Sequence, residues 1–189
     1  MTKLAQVQAS GLNRREIGDY IVTALVDGIV DVPFDLLTGI KPDEAAEMIA
    51  AAGRPRSSAM TVSAYLVEGG GRTILIDGGA GGINGWGGRL QVALAAANID
   101  PHQINHVFLT HAHPDHVGGL IGASPSAVLF PNAELVLHEE EYKFWSDDGN
   151  LSRAPDAVQP FFHLASVVTL TLVSHGRLFR GFRLRTWSR

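Results

Sequence analysis

The feature that most constrains this chain is a cluster of metal-ligand side chains placed directly after a short apolar strand. Residues 111–116 read His-Ala-His-Pro-Asp-His, and the apolar strand before them is predicted at residues 107–110. In a chain leaving an extended strand, His111 and His113 project from the same side, so their two imidazoles can share one ion. The alternative is a polar loop whose histidines face solvent, and four ligand-type residues in six disfavour it.

The residues after the second histidine extend this pattern to a second ion. Pro114 fixes its own φ and bends the chain towards a helix start, beyond which Asp115 and His116 can face an ion beside the first. Imidazole and carboxylate groups bind zinc, iron or manganese. Two ions roughly 3.5–4 Å apart can clamp the attacking and leaving oxygens of a hydrolysis. The pattern therefore favours a two-metal hydrolytic site, in which Asp115 binds metal and can help to move a proton.

The composition narrows the classes of function. The chain has 189 residues, of which 46% are hydrophobic and 18% charged, as expected for one globular domain. It contains no cysteine, which excludes disulfides, thiolate metal sites and cysteine nucleophiles. The net charge of −4 gives no indication of a nucleic-acid or membrane partner. Because no apolar run is long enough to span a bilayer and the first twenty residues are polar, we expect a cytoplasmic protein.

Apolar periodicity and turn residues predict the elements around the motif. Two hairpins are expected, one over residues 20–32 that turns at Asp27-Gly28, and one over residues 60–77 that turns at Gly69–Gly71. Helices are predicted at residues 42–52, 89–98, 139–146 and 156–166, and short strands at residues 107–110 and 135–137. Residues 78–88 hold seven glycines but match neither the dinucleotide-binding pattern nor the P-loop, so they predict a loop without phosphate chemistry.

The segment around the histidines resembles the signature of the metallo-β-lactamase superfamily. Residues 104–120 read INHVFLTHAHPDHVGGL, and the strand that ends at Asp77-Gly78-Gly79 resembles an earlier strand of that superfamily. Within the superfamily, the segments Phe-Pro-Asn-Ala at 130–133 and Asn-Leu-Ser-Arg-Ala-Pro-Asp at 150–156 are most similar to methyl parathion hydrolase and its lactonase-like relatives. The resemblance extends over about residues 20–181.

This resemblance implies an αββα sandwich with two metal ions at one edge of its two sheets. It implies that His111 and His113 hold one ion, that Asp115 and His116 hold the other, and that Asp77 steadies the histidine loop without binding metal. The expected metal is zinc, with manganese or iron as alternatives. The implied activity is hydrolysis of an ester-like bond in a small molecule, a lactone or an organophosphate-type ester, by a metal-bound hydroxide, with Asp115 as the catalytic candidate.

The later ligands of the family pattern are not recognisable in this sequence. A third histidine for the first metal, a bridging aspartate and a last histidine are missing, and neither His163 nor His175 fits these positions. We therefore expect residues 1–189 to form a single incomplete domain, corresponding to the N-terminal half of the sandwich, with residues 182–189 as a non-homologous arginine-rich tail.

Two other interpretations stay open. One is a catalytically inactive half-domain that binds metal poorly or acts only through association, and the other is an iron-dependent oxygenase on the same fold. The expected partner is a small-molecule ester, without nucleic acid or membrane, and assembly into a homo-oligomer is left open.

Overall fold

The computed structural model of this protein describes residues 12–55, 57–120 and 129–153. In chain order the strands are β1 (Leu12–Ile17), β2 (Tyr20–Asp31), β3 (Ala59–Gly69), β4 (Arg72–Ile76), β5 (His106–Phe108) and β6 (Glu134–Val136). The helices are α1 (Pro42–Ala51), α2 (Leu90–Ala96), α3 (Pro114–Val117), α4 (Glu139–Trp145) and α5 (Asp148–Arg153). Short 3-10 turns lie at Phe34–Leu36, Ile83–Gly85, Pro101–Gln103 and Gly118–Leu120. The helix predicted at residues 156–166 and the arginine-rich tail fall outside the described residues.

The strands form one six-stranded sheet in which each strand pairs with the next one in the chain. The pairs from β1 to β4 are antiparallel, whereas β4–β5 and β5–β6 are parallel. A parallel pair needs a crossover, and α2 lies in the crossover between β4 and β5. The mixed α/β class is therefore confirmed, and the described residues contribute one sheet to it.

Side chains alternate between the two faces of each strand, so every second residue points to the same face of the sheet. The core lies on one of these faces. The main cluster of buried residues joins Leu90 and Leu94 of α2 to six strand residues, Leu25, Ala64, Leu66, Leu75, Val107 and Leu135. The opposite face carries Val22, Ala24, Tyr65, Val67, Ile74 and Ile76, which are partly buried or exposed. Among residues 12–55, 57–120 and 129–153, the side chains on the first face are thus more deeply buried than those on the second.

The predicted hairpin over residues 20–32 is wrong. Strand β2 continues through Asp27-Gly28, pairs with β1 on one side and with β3 on the other, and carries a bulge between Val26 and Gly28. The chain turns instead at Gly18-Asp19. The physical reason is that the carboxylate of Asp27 is fully buried and bonded to backbone N–H groups, so it does not face solvent in a turn.

The other predicted elements that fall within the described residues agree with the structure, whereas β1 and α5 were not predicted. The hairpin β3–β4 turns at Gly70-Gly71, and α1 begins with Pro42 in its first turn. Helices α2 and α4 and strands β5 and β6 differ from the predicted ranges only at their ends. No helix among residues 12–55, 57–120 and 129–153 is long and apolar enough to cross a membrane.

The common direction of the parallel strands determines which edge of the sheet carries the polar motif. Because β4, β5 and β6 run in the same direction, their carboxyl ends meet at one edge of the sheet. Asp77 follows β4, the histidine segment follows β5, and α4 follows β6. This edge is where ligands bind in open α/β sheets.

Candidate metal centre

The first pair of predicted ligands lies in the loop between β5 and α3. Nε2 of His111 is 3.1 Å from Nδ1 of His113, and the two ring planes meet at 73°. Two nitrogens that each lie about 2.0–2.1 Å from a tetrahedral zinc ion are about 3.3 Å apart. The separation of these two nitrogens therefore fits a shared ion.

The second pair lies on the short helix α3, which has Pro114 at its first position as predicted. Nε2 of His116 is 3.3 Å from Oδ2 of Asp115, a similar donor separation. The ring of His116 lies 4.0 Å, centroid to centroid, from the ring of His111. The structure thus brings all four residues of the motif together as two adjacent pairs.

Asp77 lies directly beneath this motif. Its Oδ1 accepts a hydrogen bond from the backbone N–H of Thr110 at 2.8 Å, and its Oδ2 lies 2.9 Å from Nδ1 of His116. The hydroxyl of Thr110 also donates to this carboxylate. Asp77 has φ 60, a left-handed conformation that is uncommon outside glycine. Through its hydrogen bonds, Asp77 holds the backbone at Thr110, directly before the first histidine, and the ring of His116.

The carboxylates around His116 stabilise its protonated form. Burial by itself would lower the pKa of His116, but the carboxylates of Asp115 and Asp77 outweigh it and raise this pKa to about 9. Burial would raise the pKa values of Asp77 and Asp115, yet their hydrogen bonds from His116 hold both below the ordinary value. Burial, together with the positive charges of His116 and His113, lowers the pKa of His111. Two ionised carboxylates thus face this side of the cluster.

The glycine-rich loop packs against the motif and is held by a residue whose role the sequence analysis missed. Asp27 Oδ2 accepts from the N–H groups of Ala80 and Gly88 at 2.8 and 3.0 Å, and Oδ1 accepts from that of Leu90 at 2.8 Å. The loop in turn bonds to the motif, because Gly78 N–H donates to the carbonyl of His116 at 2.7 Å. An acid inside an apolar, β-branched run was the available signal for a buried carboxylate.

Helix α4 contributes a second residue that the sequence analysis missed. Glu141 Oε2 accepts from the N–H of Ala112 at 3.0 Å and from the indole N–H of Trp145 at 2.9 Å. The ring of Trp145 also packs edge-to-face with the ring of His113, at 5.7 Å between centroids. The signal was the i, i+4 spacing of Glu141 and Trp145, which places them on one face of the helix predicted at residues 139–146.

The donor chemistry fits a metal centre, but the donor count is low. Imidazole nitrogens and a carboxylate are the ligands of zinc hydrolases, and such a zinc normally has three protein ligands and one water. Within the described part of the chain, no group of three His, Asp or Glu side chains is arranged to hold one ion. Each pair of the motif therefore supplies two ligands, and His163 and His175 lie outside the described residues.

Comparison with protein families gives one match. The family model described as the metallo-beta-lactamase superfamily matches residues 58–182, which include the whole histidine motif. No curated protein sequence gives a significant match.

Comparison with solved structures gives several similar folds. The hydrolase AbOPH, of the beta lactamase superfamily, is 28% identical with a TM-score of 0.77, over 90% of this chain and 58% of its own. AidC, a dizinc quorum-quenching lactonase, is 24% identical with a TM-score of 0.77, over 89% of this chain and 60% of its own. A probable metal-dependent hydrolase from Staphylococcus aureus is 21% identical with a TM-score of 0.58, over 69% of this chain and 51% of its own. The chain thus spans about three fifths of the first two structures.

Proposed function

Because this chain belongs to the metallo-beta-lactamase superfamily, we propose that it acts as a metal-dependent hydrolase on an ester-like bond of a small molecule. The proposed substrate is a lactone or an organophosphate-type ester, and the proposed metal is zinc. Support comes from the likeness to the hydrolase AbOPH, while the lactonase AidC has the same fold. The partner we propose is a small molecule rather than a nucleic acid or a membrane.

One observation carries the proposal: the motif forms two donor pairs with separations of 3.1 and 3.3 Å. We assign His111 and His113 to one ion and Asp115 and His116 to the other. Ions held there would supply an activated water and a Lewis acid for the substrate oxygen.

The protein residues have separate tasks in this proposal. Asp77 bonds Nδ1 of His116 at 2.9 Å, so Nε2 is the nitrogen that remains for a ligand bond. Asp115, at the first turn of α3, presents Oδ2 on the same side as that nitrogen and is the candidate to accept a proton. The glycine-rich loop supports the motif through the hydrogen bond from Gly78 N–H to the carbonyl of His116.

The test combines a double substitution with metal analysis. His111→Ala together with His113→Ala should lose zinc measured by elemental analysis, and should lose hydrolysis of an acyl-homoserine lactone, an aryl ester and an aryl phosphotriester. The matched control is His102→Ala, since His102 is an exposed histidine paired with Asp100 before β5, at the opposite end of that strand. Equal metal content in the double variant and the control would refute the assignment.

A second candidate is supported by the low donor count. Because each pair supplies two ligands within the described residues, a domain that binds metal poorly and does not turn over substrate is the alternative. The same elemental analysis separates the two: stoichiometric zinc with turnover supports the hydrolase, and near-zero metal in wild-type protein supports the inactive domain. Iron in place of zinc would instead favour an oxygenase.

A further inference from the structure

Helix α4 carries three consecutive glutamates with different surroundings. Glu139 and Glu140 are exposed and both pair with Lys143, at 2.8 and 3.1 Å. Glu141 is half-buried and points the other way, towards the histidine loop. Its fourth neighbour along the helix, Trp145, is buried on the same face.

A single carboxylate oxygen of Glu141 joins two parts of the molecule. Oε2 accepts from the N–H of Ala112 at 3.0 Å and from the indole N–H of Trp145 at 2.9 Å. Ala112 is fully buried, so its N–H would lack a partner without this carboxylate. The bond is therefore costly to lose and fixes the backbone at this position.

The fixed backbone is the link between the first two candidate ligands. Ala112 lies between His111 and His113 in the chain, and the ring of Trp145 packs edge-to-face with that of His113 at an interplanar angle of 82°. Asp77 holds the N–H of Thr110 in the same way at 2.8 Å. Two carboxylates from different parts of the fold thus hold the histidine loop: Asp77 accepts from the N–H of Thr110, and Glu141 accepts from the N–H of Ala112.

We propose that Glu141 is a positioning residue for the metal centre: through the amide of Ala112 and the indole of Trp145, it fixes the separation and orientation of His111 and His113. This inference rests on the proposed function, since it assigns Glu141 a role in metal binding. Glu141 itself does not bind the ion in this proposal.

The experiment compares Glu141→Ala, Glu141→Gln and the control Glu140→Ala. Zinc affinity is measured by competition with a chromophoric chelator, and exchange of the Ala112 amide by NMR in metal-free protein. Glu141→Ala should weaken zinc binding roughly 10- to 100-fold, the usual effect of removing a group that orients ligands, and should speed exchange at Ala112. Glu141→Gln should recover most of the affinity because its carbonyl oxygen still accepts, and Glu140→Ala should match wild type.

The outcomes distinguish this inference from the proposed function. If wild-type protein takes up no zinc, both fail. If wild type binds zinc and Glu141→Ala binds it equally well, Glu141 is only a structural contact and this inference alone is overturned, even with faster exchange at Ala112. Should Glu141→Ala not fold, Trp145→Phe gives a second route. It removes the indole donor, and an affinity equal to wild type would again overturn the inference.

Discussion

At the residue scale, two buried carboxylates position the segments around the candidate metal centre through hydrogen bonds. Asp77 bonds the backbone before the histidines and the ring of His116, and Asp27 bonds three N–H groups in and after the glycine-rich loop. Both are almost inaccessible to solvent, at 6% and 0% relative exposure. Buried carboxylates are tolerated when hydrogen bonds replace the lost water. Backbone N–H groups supply them here, and Asp77 also bonds the hydroxyl of Thr110 and the ring of His116.

We predict that Asp77→Asn weakens metal binding without unfolding the protein. The amide oxygen can still accept from Thr110 N–H, but the amide NH2 group would donate to Nδ1 of His116. The proton would then move to Nε2, where the candidate ligand bond forms, and zinc affinity should fall roughly 10- to 100-fold. Isothermal titration with zinc measures this effect.

The control for this prediction is Asp100→Asn. Asp100 and His102 form the same type of pair at 2.8 Å on the exposed surface before β5. That variant should bind zinc as wild type does. An Asp77→Asn protein with wild-type affinity would show that the ring of His116 does not need this carboxylate.

We predict that Asp27→Asn lowers the free energy of unfolding by about 2–4 kcal/mol. One amide oxygen can serve Leu90 N–H, but the NH2 group would face the N–H groups of Ala80 and Gly88, which would lose their acceptor. Urea denaturation followed by circular dichroism gives the value. Asp31→Asn, an exposed acid on the same strand, is the control and should change stability by less than about 0.5 kcal/mol; equal losses in the two variants would contradict this role for Asp27.

At the scale of elements, the loop between β4 and α2 requires glycine for two reasons. Its backbone lies very close to a neighbouring side chain at some positions, and it adopts backbone conformations that glycine tolerates best. Gly79 and Gly87 both have positive φ and lie against the side chain of Asp27, so that a Cβ at either position would overlap it. Gly85 also has positive φ, 78°, but open space surrounds it. The loop therefore contains glycines of two kinds, required by packing or by backbone conformation alone.

This difference predicts unequal effects of two matched substitutions. Gly85→Ala adds only left-handed strain, about 1–2 kcal/mol. Gly87→Ala, with φ 56, adds similar strain and also drives Cβ into Oδ2 of Asp27, which should cost roughly 1–3 kcal/mol more. Thermal or urea denaturation of the two variants measures the difference, and equal stabilities would mean that the loop moves away from Asp27 at little cost.

At the scale of the whole molecule, the two faces of the sheet are unequally covered by the part of the chain that the structure describes. One face packs against α2 in the main core, whereas the other carries partly exposed apolar side chains, among them Tyr65 at 45% relative exposure. Contiguous apolar surface of this kind promotes association.

We therefore predict that the 189-residue chain self-associates through the open face of the sheet. Tyr65→Lys places a charge in the middle of that face and should shift the protein towards the monomer in sedimentation velocity. Val92→Lys is the control, because Val92 is 60% exposed on α2, on the other side of the sheet. A monomeric wild type at tens of micromolar, or an equal effect of the two lysines, would count against this interface.

Much of the site was predictable because its pattern is local. The spacing of His111, His113, Asp115 and His116 lies within one strand end and one helix start, so chain geometry alone brings them together. The family resemblance implied that Asp77 steadies this loop, and the structure places its Oδ2 2.9 Å from Nδ1 of His116. The two lie close because β4 and β5 are parallel and end at one edge of the sheet.

The sequence by itself determined the elements with strong periodicity, the mixed α/β class and the donor cluster, because each depends on neighbours along the chain. Only the tertiary structure decided that Asp27 is buried within a continuous strand and that Glu141 holds the histidine loop. The hydrogen bond between Asp27 and Ala80 spans 53 positions of the chain, and the one between Glu141 and Ala112 spans 29. A carboxylate beside a glycine predicts a turn locally, but whether it meets water or buried N–H groups depends on which distant segment packs over it.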